Sequence, residues 1–374
     1  MSIYKINNWF SEFGDGPLMI AGPCSAESEE QIMRIAGSLA GPCKPGLFRA
    51  GIWKPRTRPG TFSGVGTKGL QWMTGVRDKT GMRLTVEVAS PRHVEACLKA
   101  GIDVIWLGAR TVSNPFSVQE IAESLRGVDI PVLVKNALNP DIDLWMGAIE
   151  RIYDAGIKRM AAVHRGFAPF ERTRYRNMPK WEIAIELRRR MRDLPVICDP
   201  SHIAGDSALV PELAQKAMDL NMDGLMVEVH YDPAAALSDC KQQLSPEQYC
   251  DMIRNLVVRS TKPQDPGFRD LLEELRNQVD SIDQQLIDLL ASRLGIIDRI
   301  GEYKCSNNVA VLQMDRWLEI LRTRLEQADK AGLDRDFVEK YLKLMHQESI
   351  RRQTVIMRKL RENKEGSGDN GPDD

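Results

Sequence analysis

Between Pro17 and about Thr261 the chain alternates short apolar runs with stretches whose apolar residues recur every three to four positions. The short runs, at 18–21, 47–50, 83–88, 103–107, 131–134, 159–163, 196–198 and 225–228, have the length and β-branched content of buried strands. The periodic stretches near 28–39, 68–80, 92–100, 118–125, 142–155, 180–191, 209–220 and 246–258 predict amphipathic helices. Eight such pairs, filling 1–260, predict a closed (β/α)8 TIM barrel over a doubly wound sheet.

Two prolines and a glycine at 261–267 break this rhythm and predict a linker. No strand pattern follows. Leu271, Leu275, Val279, Ile282, Leu286, Leu289 and Ile297 trace one long helical stripe, and further helices are expected at about 311–328 and 334–360, separated at Gly332. This gives an all-α three-helix domain at 268–361. Helices so unequal in length leave apolar surface uncovered within one chain, which predicts at least a dimer. The tail at 362–374 has almost no apolar residues and predicts disorder.

Composition adds exclusions. With 374 residues, 43% hydrophobic, 28% charged and a formal charge of -1, the chain gives no electrostatic reason to expect nucleic acid or a membrane as partner. Arg188-Arg189-Arg190 reads as a solvated helix face. The start at Met1 lacks the basic and apolar regions of a signal peptide, and no apolar run is long enough for a bilayer, so a cytoplasmic location is expected. Seven irregularly spaced cysteines read as free thiols.

Candidate chemistry sits where the expected strands end. His202 follows strand seven, Glu228 ends strand eight and Cys24 follows strand one, and these strands are neighbours in a closed barrel. Asp239, in the next loop, can add an oxygen. This S, N and O set suits Mn, Fe, Co or Zn without choosing among them. Each residue alone reads as a satisfied buried polar group; their convergence favours a divalent metal site. Across the rim, Lys54 and Arg56 follow strand two, Arg110 follows strand four, Lys135 ends strand five, and His164 and Arg165 end strand six. So many cations facing one centre imply phosphorylated, anionic substrates.

The motifs Gly22-Pro23-Cys24-Ser25-Ala26-Glu27-Ser28, Lys54-Pro55-Arg56-Thr57, Leu107-Gly108-Ala109-Arg110, Lys135-Asn136, His164-Arg165-Gly166 and Asp199-Pro200-Ser201-His202 closely resemble type I beta 3-deoxy-D-arabino-heptulosonate 7-phosphate (DAHP) synthase. The resemblance implies condensation of phosphoenolpyruvate with erythrose 4-phosphate. It also implies metal binding by Cys24, His202, Glu228 and Asp239. Phosphoenolpyruvate would be held by Arg110, Lys135 and Arg165, with Lys54 beside its carboxylate and His164 among the substrate-binding groups. Arg56 and Thr57 would engage the erythrose phosphate. Related octulosonate phosphate synthases carry an asparagine-containing sequence in place of Lys54-Pro55-Arg56-Thr57.

Glu274-Leu275-Arg276, Arg293, Gly301-Glu302-Tyr303-Lys304, Arg316 and Gln353 resemble an AroQ-type chorismate mutase. That family forms an intertwined dimer. The resemblance implies conversion of chorismate to prephenate without any organic cofactor. Arg276, Arg293, Arg316 and Ser349 would bind the substrate, while Lys304 and Gln353 would approach the ether oxygen. On a helix, Arg293 and Lys304 share a face that Arg276 does not, so Arg276 suits a neighbouring subunit's site. Gln313 and Trp317 stand where the family often has acidic residues. A helical region that dimerises and senses a pathway product remains a second reading, and an octulosonate-type barrel or a metal-binding scaffold a third.

Overall fold

A computed structural model describes residues 4–54, 60, 62–171, 173–260 and 265–366. The chain divides into two compact units, Met1–Thr261 and Lys262–Asp374.

In the first unit the strands β1 (Leu18–Gly22), β2 (Leu47–Ala50), β3 (Arg83–Val88), β4 (Val104–Leu107), β5 (Val132–Lys135), β6 (Met160–His164), β7 (Val196–Cys198) and β8 (Gly224–Glu228) close in sequence order into a parallel barrel. The connecting helices are α1 (Glu29–Leu39), α2 (Lys68–Thr80), α3 (Pro91–Lys99), α4 (Ala109–Val112), α5 (Pro115–Ser124), α6 (Ile142–Asp154), α7 (Trp181–Arg190), α8 (Pro200–Ala204), α9 (Val210–Asp219) and α10 (Pro246–Asn255). The short α4 and α8 were not visible as periodic stretches, because one turn carries no apolar period.

Successive strand residues face opposite sides of the wall. Leu18 and Ile20, Leu47, Trp106, Leu133, Ala161 and Val163, Ile197 and Met226 fill the barrel interior. Their alternates, among them Ala21, Phe48, Val134, Met160, Ala162, Val196 and Val227, pack in the outer layer with the helices. Trp9 and Phe10 join the inner cluster from the chain's first 3-10 turn. β8 closes on β1 with Gly22 paired to Glu228.

The second unit consists of α11 (Pro266–Ser306), α12 (Met314–Lys330) and α13 (Arg335–Gly366). α11 begins inside the stretch read as linker. Pro266 occupies its first turn, where a missing N–H costs nothing, and the Asp265 carboxylate accepts from the N–H groups of Gly267 and Phe268. α13 continues to Gly366, past the expected start of the tail; the rest of that tail lies outside the described residues. α11 and α13 run side by side in the same direction. Arg293 bonds Ser349, Asp298 pairs with Arg352, and Gly301 faces Gln353. A Cβ at Gly301 would stand 3.2 Å from the Gln353 Cα, so glycine permits this close approach. Along the first part of α11, Leu271, Leu275, Val279, Ile282 and Leu286 are each 49–56% exposed. No helix among the described residues is long and apolar enough to cross a membrane.

The β1–β8 seam leaves no room at Gly224, where an added Cβ would meet the Leu18 carbonyl oxygen at 2.4 Å. Gly224→Ala is expected to destabilise the barrel by about 1–3 kcal/mol. Denaturant unfolding checks this: an unchanged midpoint would refute the tight seam.

Candidate functional site

The alternation that fills the lower barrel with apolar residues places ionisable ones at its upper mouth. Arg49, Lys135 and Glu228 follow the inner positions Leu47, Leu133 and Met226 by two residues, and Asp199 continues the parity of Ile197. All four are buried. Arg49 Nη2 donates to Glu228 Oε1 at 3.1 Å, and Lys135 Nζ to Asp199 Oδ2 at 2.7 Å. His202 stands between these pairs: its Nδ1 is 2.8 Å from Asp199 Oδ2 and its Nε2 is 3.8 Å from Glu228 Oε1. His202 lies on α8, not on the strand end itself. The Asp199 side chain caps that helix by accepting from the His202 N–H at 3.0 Å.

Cys24, Glu228 and Asp239 offer ligand atoms that lie within 4.8 Å of one another. The Cys24 Sγ is 3.4 Å from Asp239 Oδ2 and receives Lys54 Nζ at 3.2 Å. Gln242 Nε2 donates to Glu228 Oε2 at 2.7 Å. Gln243 accepts from the Cys24 N–H at 3.0 Å and donates to the Ser238 carbonyl at 2.9 Å, tying the loops after β1 and β8 together. Asp239 takes a left-handed backbone (φ 49°), and Arg176 Nη1 pairs with its Oδ1 at 3.0 Å.

Burial, followed by the charge of Glu228, pushes the Cys24 thiol up to about 12. Burial also works to raise Glu228, yet His202 and Arg49 hold it below its ordinary value. His202 and Lys135 hold Asp199 well below the carboxylate range against the same penalty. A thiol, two carboxylates and an adjacent imidazole fit a divalent transition metal, whose charge would favour the thiolate that burial disfavours.

Lys54, Glu87, Arg110, Lys135, Arg165, Arg176, His202 and Asp239 line one cavity at the mouth. Burial pulls Lys135 below its ordinary value despite Asp199, and pulls Arg165 down to about 10. Arg165 Nη1 is steered by Asn177 Oδ1 at 3.0 Å. Arg56 and Thr57 lie outside the described residues.

His164 departs from expectation. It shares the parity of Met160 and Ala162, which faces the helices, and does not line the cavity. Its ring lies 6.3 Å from Trp145, 5.8 Å from Phe167 and 5.1 Å from Trp181. Arg49, Gln242 and Arg176 were not singled out from the sequence, and Asp199 stood there only as part of a motif, without a role of its own. Arg49 had a signal, an arginine inside an apolar run; Arg176, in an aperiodic loop, had none.

The helical unit brings together Arg293, Lys304, Ser349 and Gln353. Arg293 Nη1 donates to Ser349 Oγ at 3.0 Å, Lys304 Nζ to the Val311 carbonyl at 2.7 Å and Gln353 Nε2 to the Ser349 carbonyl at 3.2 Å. Arg316 is exposed and pairs with Glu319 at 2.6 Å. Arg276, paired with Glu273 at 3.5 Å, lies ~25 Å along the helix from Arg293, beyond side-chain reach.

Comparison with known proteins agrees with both halves. The profile of the DAHP synthetase I family matches residues 10–260, and that of chorismate mutase type II matches 275–354. The chain is 32% identical over 238 residues to phospho-2-dehydro-3-deoxyheptonate aldolase of Thermotoga maritima, covering 64% of this chain and 68% of that one. It is 31% identical over 245 residues to 2-dehydro-3-deoxyphosphooctonate aldolase of Polaromonas naphthalenivorans, covering 59% and 82%. A crystal structure of the Thermotoga maritima DAHP synthase superimposes with a TM-score of 0.58 at 29% identity, covering 68% of this chain and 76% of that one.

Burial pushes His164 down to about 4 from 6.5. The unfolded chain therefore binds the extra proton between these values, and stability that is complete above pH 6.5 is lost as pH falls toward 4. Wild type should lose about 2 kcal/mol more than His164→Phe between pH 7 and pH 5. Parallel urea titrations of the two proteins check it; identical pH slopes would refute the buried neutral imidazole.

Proposed function

The chain belongs to the DAHP synthetase I family and carries an AroQ-type chorismate mutase domain after its barrel, and on that premise we propose a bifunctional enzyme. Its barrel condenses phosphoenolpyruvate, erythrose 4-phosphate and water to DAHP and phosphate. Its helical unit rearranges chorismate to prephenate. The observation that carries the first activity is the cavity lined by Lys54, Arg110, Lys135 and Arg165 together with Asp239, itself a member of the Cys24–Glu228–Asp239 cluster.

A divalent cation held by Cys24, His202, Glu228 and Asp239 would supply Lewis-acid polarisation of the aldehyde oxygen. The chain's own groups do the rest. Arg110, Arg165 and Lys54 neutralise and orient the enol phosphate, so that its C3 can bond the aldehyde carbon. Water then adds to C2 and phosphate leaves. Lys135, its charge weakened by burial and its Nζ set against Asp199, is suited to hold or pass the proton of that water. Arg56 and Thr57 receive the phosphate of the four-carbon sugar.

Chorismate carries two carboxylates, which Arg293, Arg316 and Ser349 bind together with Arg276 from a second copy of the chain. The distance between Arg276 and Arg293 along α11, and the apolar stripe exposed on its first part, support an intertwined dimer. Lys304 and Gln353 stabilise the negative charge growing on the ether oxygen, and no covalent step is needed. Prephenate or chorismate held there would regulate the barrel.

The octulosonate-type relative motivates a second reading, with arabinose 5-phosphate as aldehyde. Phosphate release with either sugar, and chorismate disappearance, should be measured with and without chelator. Erythrose 4-phosphate should be favoured, and chelation should abolish only the condensation; preference for the pentose would overturn the first assignment. Cys24→Ser should lower metal affinity and condensation by about 10–100-fold, and full activity in that variant after exhaustive chelation would count against the metal role. Arg276→Ala should cost about 100-fold in mutase turnover while condensation and dimer mass persist, and undiminished turnover would count against a shared site. Prephenate should inhibit condensation by wild type but not by Lys304→Ala; equal inhibition would defeat control through the helical unit.

A further inference from the structure

Two aromatic rings lie among the groups of the helical cluster. Trp317 of α12 and His346 of α13 are stacked, with centroids 3.9 Å apart and planes 8° from parallel. The indole fixes the plane of the imidazole and covers one of its faces. His346 Nε2 is nevertheless buried without a hydrogen-bond partner. An orphaned nitrogen of this kind is costly to bury unless something completes it.

Its neighbours show what kind of ligand that is. His346, Ser349 and Gln353 recur at helical spacing on one face of α13, and the Gln353 Oε1 is buried and unpartnered as well. Ser349 is joined to Arg293. Burial, followed by the charges of Arg293 and Lys304, holds His346 below its ordinary pKa, so the imidazole is neutral where these two cations bear on it. Guanidinium groups match carboxylates. A neutral imidazole matches a hydroxyl, which can both give and accept a hydrogen bond. Trp317 has only a donor N–H and presents its ring face to the stack.

We propose that His346 is a further substrate-contacting residue of the helical site, its Nε2 hydrogen-bonding the secondary ring hydroxyl of chorismate, with Trp317 as its positioning residue. The assignment rests on the mutase reading and deepens it, since it makes this site selective for a hydroxylated ring. A buried polar group left unpaired by a substrate lacking that hydroxyl penalises such a substrate strongly.

The test compares chorismate with an analogue in which hydrogen replaces the ring hydroxyl. Wild type should show kcat/KM about 10–100-fold lower for the analogue. His346→Ala should lose about as much on chorismate and discriminate by less than ~3-fold, because the bond is already absent. His346→Gln, which keeps a polar group, should retain part of the discrimination and carries the test if the alanine variant fails to fold. Trp317→Ala should raise KM for chorismate more than it lowers kcat, and Trp317→Phe should restore it. Nitrogen NMR of labelled histidine should show the His346 Nε2 resonance moving when chorismate is added to the full chain. Wild-type discrimination retained in folded His346→Ala or His346→Gln would overturn the role of His346 alone. Absence of both chorismate binding and turnover in wild type would overturn the mutase reading and this assignment with it.

Discussion

The barrel mouth depends on two buried ion pairs with an imidazole between them. Lys135, Asp199, His202, Glu228 and Arg49 follow one another across it, linked at 2.7, 2.8, 3.8 and 3.1 Å. Each ion alone would cost several kcal/mol to bury, and removing one member leaves its neighbour uncompensated. Each pair therefore stands or falls as a unit. The Arg49 pair also fixes the Glu228 carboxylate, whose second oxygen is taken by Gln242, beside Cys24 and Asp239.

Barrel closure makes this arrangement possible. Register along β1 and β8 sets Gly22 opposite Glu228, and Cys24 follows two residues later. The third member of the cluster belongs to a loop and needs other supports. Gln243 spans from Cys24 to Ser238, while Arg176 holds Asp239 from the segment between β6 and α7. β8 thus supplies Glu228 as the rigid member, and the loop residues Cys24 and Asp239 are clamped beside it.

What the sequence disclosed follows the same division. Strand runs, helix periods and the Asp199-Pro200-Ser201-His202 motif were legible because they repeat or cluster locally, and the strand order follows from barrel closure. The partners of buried ions were harder to see: Arg176 is 63 residues from Asp239 and no period connects them. His164 shows the opposite case. Counting alternate positions back to Met160 puts it on the outer face, so its placement was available from the strand pattern; its adjacency to Arg165 in a basic motif obscured that simpler argument. In the helical unit the family resemblance picked out Arg293 and Lys304 and helical spacing put them on one face, but the Trp317–His346 stack joins two helices and only the folded chain shows it.

The two units handle charge in contrasting ways, and the contrast bears on what each can bind. At the barrel mouth Lys135, Arg49 and Arg176 each face an acid of the same chain, so part of the pocket's charge is compensated before an anion arrives. In the helical cluster Arg293 and Lys304 bond instead to a hydroxyl and a carbonyl, which leave their charges intact. Arg276 and Arg316 have acidic neighbours, but at exposed i,i+3 spacing, where such pairs contribute little and are readily exchanged for a ligand. A small dianion entering that cluster meets cations with little competing anionic charge, and tight, orienting contacts become available without breaking a buried ion pair. On the assignment proposed above, the His346 imidazole among them would add shape and hydrogen-bond selectivity that charge alone cannot give.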